Sequence, residues 1–251
     1  MRAKHLLIVA AVLIAAFTQL QAQPAVATIN VDALTNLAKT GGGEAGGALF
    51  LPDGNIIALW KGRPLIIDSK SGEIIRNLDA LPSGFAAAPK LSPDGTKLIT
   101  RITESQMAIW DVPSGKIIKQ FNYQIGWFCF SPDGTKLYVT LPNLIDNLGH
   151  LVIFDMATLQ EIERMSYPKL NRADLIDISP DGQTLAVLVG KKKDGQTDNK
   201  INQIILINLN DKINYTVVET AEPYFMSIQF SPDGKKIASL YDNGDYIYIY
   251  I

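Results

Sequence analysis

The stretch FSPDGTKL, residues 130–137, joins two apolar segments through a Pro-Asp-Gly turn. Pro132 presets φ for the second position of a tight turn, and the Asp133 side chain accepts hydrogen bonds from the nearby backbone. Gly134 accepts the left-handed conformation that such a turn requires. Segments rich in strand-forming residues, 127–130 and 136–139, flank the turn on both sides. A strand, a short glycine-containing loop and a second strand together predict a β-hairpin.

The same turn recurs along the whole chain. Its five copies occupy residues 51–54, 92–95, 131–134, 179–182 and 231–234. The steps from one turn aspartate to the next are 41, 39, 48 and 52 residues. A unit that recurs at this length is typical of propellers and solenoids.

The remainder of each unit repeats in phase with the turn. A third apolar run that ends in Asp or Asn follows the hairpin, at residues 65–68, 108–111, 152–155 and 206–208. A second turn and a fourth run come next, as in Ser114-Gly115 and residues 116–119. Four short antiparallel strands in about 40 residues make one propeller blade. The sequence therefore predicts an all-β fold, a β-propeller of about five blades at residues 45–80, 85–122, 124–166, 172–219 and 224–251.

These motifs resemble the WD-repeat family and its bacterial relatives, including TolB-like propellers, whose core reads FSPDGxxL. The resemblance covers residues 45–251 and is closest at residues 130–137 and 230–237. The pair Trp110-Asp111 matches the dipeptide that names the family in one blade only. The family's Gly-His pair is absent before the first strands, because Gly149-His150 lies before a third strand. The resemblance implies a degenerate bacterial propeller without the histidine–aspartate network of eukaryotic members.

The first 22 residues are typical of a secretory signal peptide. Arg2 and Lys4 precede a twelve-residue uncharged run from Leu6 to Phe17, and Ala22 offers a small residue before Gln23. The apolar run is short for a membrane span, although an uncleaved anchor is the alternative. No cysteine follows it, which excludes lipoprotein processing. We therefore expect a periplasmic or secreted protein with no stable membrane span after the signal is removed.

Charge and composition exclude several classes of function. Cleavage after Ala22 removes Arg2 and Lys4 from the 23 basic side chains and leaves 21 against 25 acidic ones. Nucleic-acid binding is not expected of a mildly acidic domain. Cys129 is the single cysteine and is predicted to be buried, and His150 is predicted to be a solvated loop residue. We predict no catalytic residue, no cofactor and no metal site, since the clusters that such sites need are absent.

Loop lengths provide the best prediction of a binding site. In a propeller the Pro-Asp-Gly turns share one face, here called the bottom face, and the second-to-third loops share the opposite, top face. Two of those loops are long and belong to adjacent blades, residues 141–149 and 190–202. Binding residues concentrate on loops that a rigid scaffold holds, although tolerated insertions are the alternative. The candidate residues of this sector are Asn143, Asp146, Asn147, His150, Lys191, Lys192, Lys193, Asp194 and Asp198. The blade-to-blade loops of the top face add Tyr123, Tyr167, Asn171, Arg172 and Tyr224.

The end of the repeat leaves two alternatives for ring closure. The fifth blade has sequence for three strands, the last at residues 245–251. In one alternative, Ala25 to Val31 supplies the missing strand and closes a five-bladed ring, with the glycines of residues 41–47 as a flexible link. In the other, which we prefer, the chain forms an open arc of a larger propeller, because WD-type repeats usually close with more than five blades.

The expected function is a binding scaffold for another protein or peptide, without chemistry of its own. The alternative is a propeller enzyme, or a cofactor-dependent propeller, with a carboxylate site on the top face. A convergent cluster of carboxylates at the centre of that face would favour the enzyme. A broad face bordered by the two long loops would favour binding.

Overall fold

The fold consists of consecutive antiparallel β-sheets. The computed structural model describes residues 47–60, 62–81, 87–103, 106–121, 125–142, 149–167, 170, 173–192, 200–211, 214–219, 225–241 and 247–250. These residues contain nineteen strands. In each sheet the strands follow one another in chain order, so every neighbouring pair is joined by a hairpin. Within the described residues, no helix is long and apolar enough to cross a membrane.

Five sheets account for all nineteen strands. The first two blades contain β1 (Gly47–Phe50), β2 (Ile56–Trp60), β3 (Arg63–Ile67), β4 (Ile74–Asn77), β5 (Ala87–Leu91), β6 (Lys97–Thr103), β7 (Gln106–Asp111) and β8 (Lys116–Phe121). The third and fourth contain β9 (Phe128–Phe130), β10 (Lys136–Pro142), β11 (Gly149–Asp155), β12 (Gln160–Tyr167), β13 (Ala173–Ile178), β14 (Thr184–Lys192), β15 (Lys200–Asn208) and β16 (Tyr215–Glu219). The fifth contains β17 (Phe225–Phe230), β18 (Ile237–Tyr241) and β19 (Ile247–Tyr250).

The sheets are arranged as the blades of a propeller. The first strand of each sheet contacts the first strand of the next, from β1 to β5, β9, β13 and β17 in turn. Apolar side chains from facing sheets fill the space between neighbouring blades, as when Ile99 and Ile109 of the second blade pack with Phe130 and Leu137 of the third. The predicted all-β propeller of about five blades is confirmed. The predicted closing strand, Ala25 to Val31, lies outside the described residues.

The Pro-Asp-Gly turns are closed by a repeated set of hydrogen bonds. The Gly134 amide donates to the Ser131 carbonyl at 2.9 Å, and the Ser131 hydroxyl donates to the Asp133 carboxylate. The Ser131 oxygen also accepts from the Lys136 amide at 2.9 Å, while Asp133 accepts from the Thr135 amide at 3.0 Å. The serine turns of the second, fourth and fifth blades repeat this pattern. The turn aspartates are therefore structural, as the repeat predicts.

The turn carboxylates should make folding stability sensitive to acid. The Ser131 hydroxyl, and then the Thr135 amide, lower the pKa of Asp133 from 3.8 to about 2. A carboxyl whose pKa is lowered by folding stabilises the folded state above its unfolded pKa, and that contribution is lost as the pH falls through the folded pKa. Between about pH 4 and pH 2, Asp133→Asn should therefore lose less stability than the unsubstituted protein. Urea unfolding midpoints across this range would measure the effect, and Ser131→Ala should reduce the acid sensitivity too. Equal pH slopes in all three proteins would contradict this explanation.

Turns of neighbouring blades also touch each other on the bottom face. A Cβ added to Gly95 would lie 2.4 Å from Cδ of Pro52, a residue of the preceding turn. The corresponding distance, from a Cβ added to Gly134 to Cδ of Pro93, is 3.3 Å. It is 3.5 Å between Gly182 and Pro132, and 3.4 Å between Gly234 and Pro180. The positive φ favours glycine in all of these turns, and at Gly95 the neighbouring proline ring leaves no room for a Cβ either, whereas the distances at Gly182 and Gly234 are ordinary van der Waals contacts.

Each outer strand of the first three blades carries a β-bulge at its start. The register shifts where β3, β7 and β11 pair with β4, β8 and β12. The extra residue is an isoleucine in every case, Ile75, Ile118 or Ile162, and all three are exposed. A bulge leaves its extra residue outside the ladder, which explains why these apolar side chains do not join a core.

Candidate functional site

The top face is most elaborate in the third and fourth blades. The hairpin of β10 and β11 continues until Pro142 pairs with Gly149, and that of β14 and β15 until Lys192 pairs with Lys200. The strands of these hairpins are seven and nine residues long. The matching strands have five residues each in the first blade and seven and six in the second, where Thr103 pairs with Gln106 across a two-residue connection. Adjacent blades therefore extend two long hairpins on the same face.

The structure corrects the predicted extent of both long loops. Residues 190–202 were predicted as one loop, but Gly190 pairs with Asn202 and Lys191 pairs with Ile201. In the third blade, Leu141 pairs with His150. Ladder hydrogen bonds satisfy backbone groups that a loop would leave to water, so the pairing continues beyond the apolar segments. The predicted sector is made of long β-hairpins with correspondingly shorter loops.

His150 lies in a strand, contrary to the loop position predicted for it. It is the second residue of β11, partly exposed, and its Nδ1 lies 2.9 Å from Oγ of Ser166 on β12. The pair joins two neighbouring strands on the blade surface. This cross-strand contact stabilises the long hairpin at its top-face end.

Tyr167 was predicted to face a partner, but the structure buries it. Its side chain is 4% exposed and packs with Tyr138, Ile176 and Leu185 between the third and fourth blades. The Tyr215 ring meets it edge to face, with centroids 6.0 Å apart. Burial raises the pKa of the phenol. Tyr167 is a core residue because the last residue of β12 points into the interblade space.

Of the other predicted residues, the structure describes only some. The backbones of Lys191 and Lys192 belong to β14, on the long hairpin of the fourth blade. Ten candidates lie outside the described residues: Tyr123, Asn143, Asp146, Asn147, Asn171, Arg172, Lys193, Asp194, Asp198 and Tyr224.

A cation–aromatic pair beside this sector was not predicted from the sequence. The Arg101 guanidinium lies over the Trp127 ring, 5.3 Å from its centroid. Arg101 lies towards the top-face end of β6, and Trp127 directly precedes β9. Both residues are partly exposed. The Trp127 amide donates to Oγ1 of Thr140 at 2.8 Å, which ties its backbone to the hairpin of the third blade. In the sequence Trp127 is recognisable only as the first residue of the apolar strand segment WFCF.

Asp177 is a second residue that the sequence analysis missed. It lies on β13, and its carboxylate accepts a 2.7 Å hydrogen bond from the Phe230 amide of the fifth blade. Burial raises its pKa, an effect that the backbone donors Phe230 and Ile178 oppose. The sequence feature that could have identified Asp177 is that it is a single carboxylate inside the apolar run of residues 175–178. Its observed contact joins two blades.

Two grooves open on the bottom face between neighbouring turns. One, of about 440 Å³, separates the first two blades and is lined by Asp53, Asp94 and Arg76 among others. Arg76 donates to the carbonyls of Val112 and Pro113 across the groove. The other, of about 470 Å³, lies between the turns of the third and fourth blades. The carboxylates of Asp53, Asp94, Asp133 and Asp181 that line these grooves accept hydrogen bonds within their own turns.

The single thiol of the chain is buried, and metal-ligating side chains are not grouped in the described part of the chain. Burial raises the pKa of the Cys129 thiol well above its usual range, which keeps it protonated and unreactive. No group of three His, Cys, Asp or Glu side chains that could hold a metal ion occurs within the described ranges.

Comparison with known proteins supports the fold and leaves the family open. No family model matches the chain, and no curated protein matches it. Among solved structures, one described as Kuenenia stuttgartiensis Hydrazine Synthase superposes with a TM-score of 0.66 and 15% identity, over 82% of this chain and 64% of that one. The Dos1 propeller superposes with a TM-score of 0.60 and 14% identity, over 82% of this chain and 56% of that one. The chain thus spans about two thirds or less of each matched structure. At these identities the likeness shows the fold alone, and that fold is the β-propeller.

Proposed function

We propose that this chain is an exported, WD-repeat-like propeller that binds another protein or peptide and carries out no chemistry. The binding sector is the part of the top face formed by the long hairpins of β10–β11 and β14–β15. Export is proposed because of the positive start, the short apolar run and the small residue at Ala22.

The observation that carries this proposal is the length of those two hairpins. They extend from adjacent blades, whereas the first blade closes its second and third strands with Trp60 opposite Arg63. Strand pairing up to Lys192 and Lys200 keeps the β14–β15 hairpin rigid along its length. A rigid projection loses little conformational entropy on binding, which favours protein contact.

The Arg101–Trp127 pair supports the same sector. Arginine and tryptophan are enriched among the residues that dominate protein–protein binding energy. The pair lies between the second and third blades, beside the β10–β11 hairpin, and both side chains are partly exposed. The binding surface is therefore proposed to run from Arg101 across the third blade to the hairpin of the fourth.

Shortening the β14–β15 hairpin should abolish capture of the partner. In this variant an Asn-Gly turn replaces residues 190–202, so that Val189 and Gln203, which pair across β14 and β15, are joined by a tight two-residue loop. The bait begins at Gln23 and is exposed to periplasmic or culture extract, and bound proteins are identified by mass spectrometry. The expected result is one partner that the unsubstituted bait retains and the shortened bait loses.

Two single substitutions sharpen this experiment. Arg101→Ala should weaken binding of the same partner by about tenfold or more if the cation–aromatic pair contributes as residues that dominate binding energy usually do. Lys235→Ala changes an exposed residue of a bottom-face turn and should leave capture unchanged. A partner retained equally by the shortened hairpin would show that binding lies elsewhere.

A further inference from the structure

The first strand of each blade leaves one edge of its sheet unpaired. Among the described strands, β5, β9, β13 and β17 each pair with one neighbour only, and their free edges face the inner side of the propeller, where the first strands of successive blades meet. In the third blade the Ser131 amide donates to the Lys136 carbonyl at 2.9 Å. The next pair, Phe130 with Leu137, is therefore of the type that exchanges no ladder hydrogen bonds. The Phe130 amide points away from β10, towards the inner side.

The fifth blade shows what such an inner-edge amide binds. Phe230 occupies the position of Phe130, directly before the turn serine. The Ser231 amide repeats the turn hydrogen bond, to the Lys236 carbonyl at 2.8 Å. The Phe230 amide donates at 2.7 Å to the carboxylate of Asp177, which lies on the first strand of the preceding blade. At this junction a carboxylate from the fourth blade thus satisfies an amide that the ladder leaves free.

The same place between the second and third blades has a lysine. Lys90 precedes its turn aspartate by four residues, as Asp177 does, and it pairs with β6 as Asp177 pairs with β14. Its side chain is exposed and forms no salt bridge with another described residue. Burial and then the Asp177 charge raise the pKa of the Cys129 thiol, whereas the Lys90 charge lowers it. The Lys90 ammonium therefore lies near the first strand of the third blade, to which Cys129 and Phe130 belong.

We propose that the inner side between the second and third blades binds the carboxylate of a ligand, held by the Lys90 ammonium and the Phe130 amide. Both groups are hydrogen-bond donors, so neither can satisfy the other, whereas the two oxygens of a carboxylate can accept from both. A hydrogen bond from an ammonium to a carboxylate is charge-assisted and stronger than a neutral one. The junction of the fourth and fifth blades has its carboxylate built in as Asp177. This site lies near the bottom-face ends of the first strands, away from the top-face hairpins, and goes beyond the partner binding proposed above.

Amide chemical shifts of the full chain test this site directly. The chain, labelled with ¹⁵N, is titrated with sodium acetate as the carboxylate probe, and sodium chloride at equal ionic strength is the reference. The Phe130 amide proton should move downfield and reach a plateau, whereas the Phe230 amide should not respond, because Asp177 already occupies it. Lys90→Met keeps the apolar stem, removes the charge and should weaken acetate binding by about tenfold or more. Lys235→Met removes an exposed charge from a bottom-face turn and should leave binding unchanged.

A second substitution converts this junction into the kind seen between the fourth and fifth blades. Lys90→Asp places a carboxylate at the repeat position of Asp177. The Phe130 amide should then lie downfield without acetate and cease to respond to it. A Phe130 amide in the unsubstituted chain that responds to acetate no more than to chloride would overturn the proposal. An acetate response of equal strength in Lys90→Met would overturn it as well.

Partner capture distinguishes two sources of the carboxylate. The Lys90→Met bait is exposed to the same extract as the unsubstituted bait. Loss of the captured partner would assign the carboxylate to an acidic side chain or the C-terminus of that partner, and unchanged capture would assign it to a small molecule. Because the acetate titration involves no partner protein, the carboxylate site can fail while partner binding by the hairpins holds, and the reverse is equally measurable.

Discussion

Trp110→Ala should lower the free energy of unfolding by about 3–5 kcal/mol, the usual cost of removing a large aromatic side chain from a core. Trp110 is 0% exposed and packs across the first interblade space with Leu59, Ile66 and Leu78. Its Nε1 donates to the Asp79 carbonyl at 2.9 Å, in the segment that follows the first blade. The substitution therefore leaves both a cavity and an unpaired carbonyl. Urea unfolding followed by circular dichroism would measure the loss.

Two further substitutions separate the packing of Trp110 from its hydrogen bond. Trp110→Phe retains most of the ring but leaves the Asp79 carbonyl without its donor, and it should cost about 1–3 kcal/mol. Ile118→Ala truncates a bulge residue exposed to solvent, and it should change stability by no more than about 0.5 kcal/mol. A Trp110→Ala protein as stable as the Ile118→Ala protein would contradict the proposed role of this side chain between blades.

Gly95→Ala should destabilise the protein far more than Gly54→Ala does. Both glycines occupy the same position of the repeat and have positive φ, +73° and +85°. Each alanine therefore carries the backbone cost of the left-handed conformation, about 1–2 kcal/mol. Only at Gly95 does the added Cβ approach Pro52 at 2.4 Å, so overpacking adds about 1–3 kcal/mol more.

The difference in free energy of unfolding between these two alanine variants measures the contribution of the interblade contact by itself. Unfolding in urea should place Gly54→Ala about 1–2 kcal/mol below the unsubstituted protein and Gly95→Ala well below Gly54→Ala. Equal losses at the two positions would show that the first turn is covered as closely as the second.

The repeat made the fold predictable because its physical determinants are local. Proline, aspartate and glycine at fixed spacing specify a hairpin turn, and the bonds around Ser131 and Asp133 are those that such a turn requires. The third-strand aspartates act in the same way, since Asp111 accepts from the Ser114 amide at 3.0 Å. Four such elements in phase were sufficient to predict an all-β propeller of about five blades.

The candidate site was less predictable because it depends on contacts between distant segments. Loop length was judged from polar residues, but the ladder of β14 and β15 continues through Lys191 and Lys192. Tyr167 has a polar tip that suggested exposure, yet the neighbouring blade covers it. The approach of Arg101 to Trp127 joins residues of different blades, and no local pattern reports it.

The turn-to-turn contact also has an evolutionary consequence. It joins one fixed position of a repeat to another fixed position of the next, Pro93 to Gly134 for example. Duplication or deletion of one whole repeat therefore recreates the contact at the new junction, whereas a change by part of a repeat would break it. Repeat proteins owe part of their adaptability to such nearest-neighbour interfaces. A gene of this kind can change its number of blades in single steps while every surviving junction keeps its geometry.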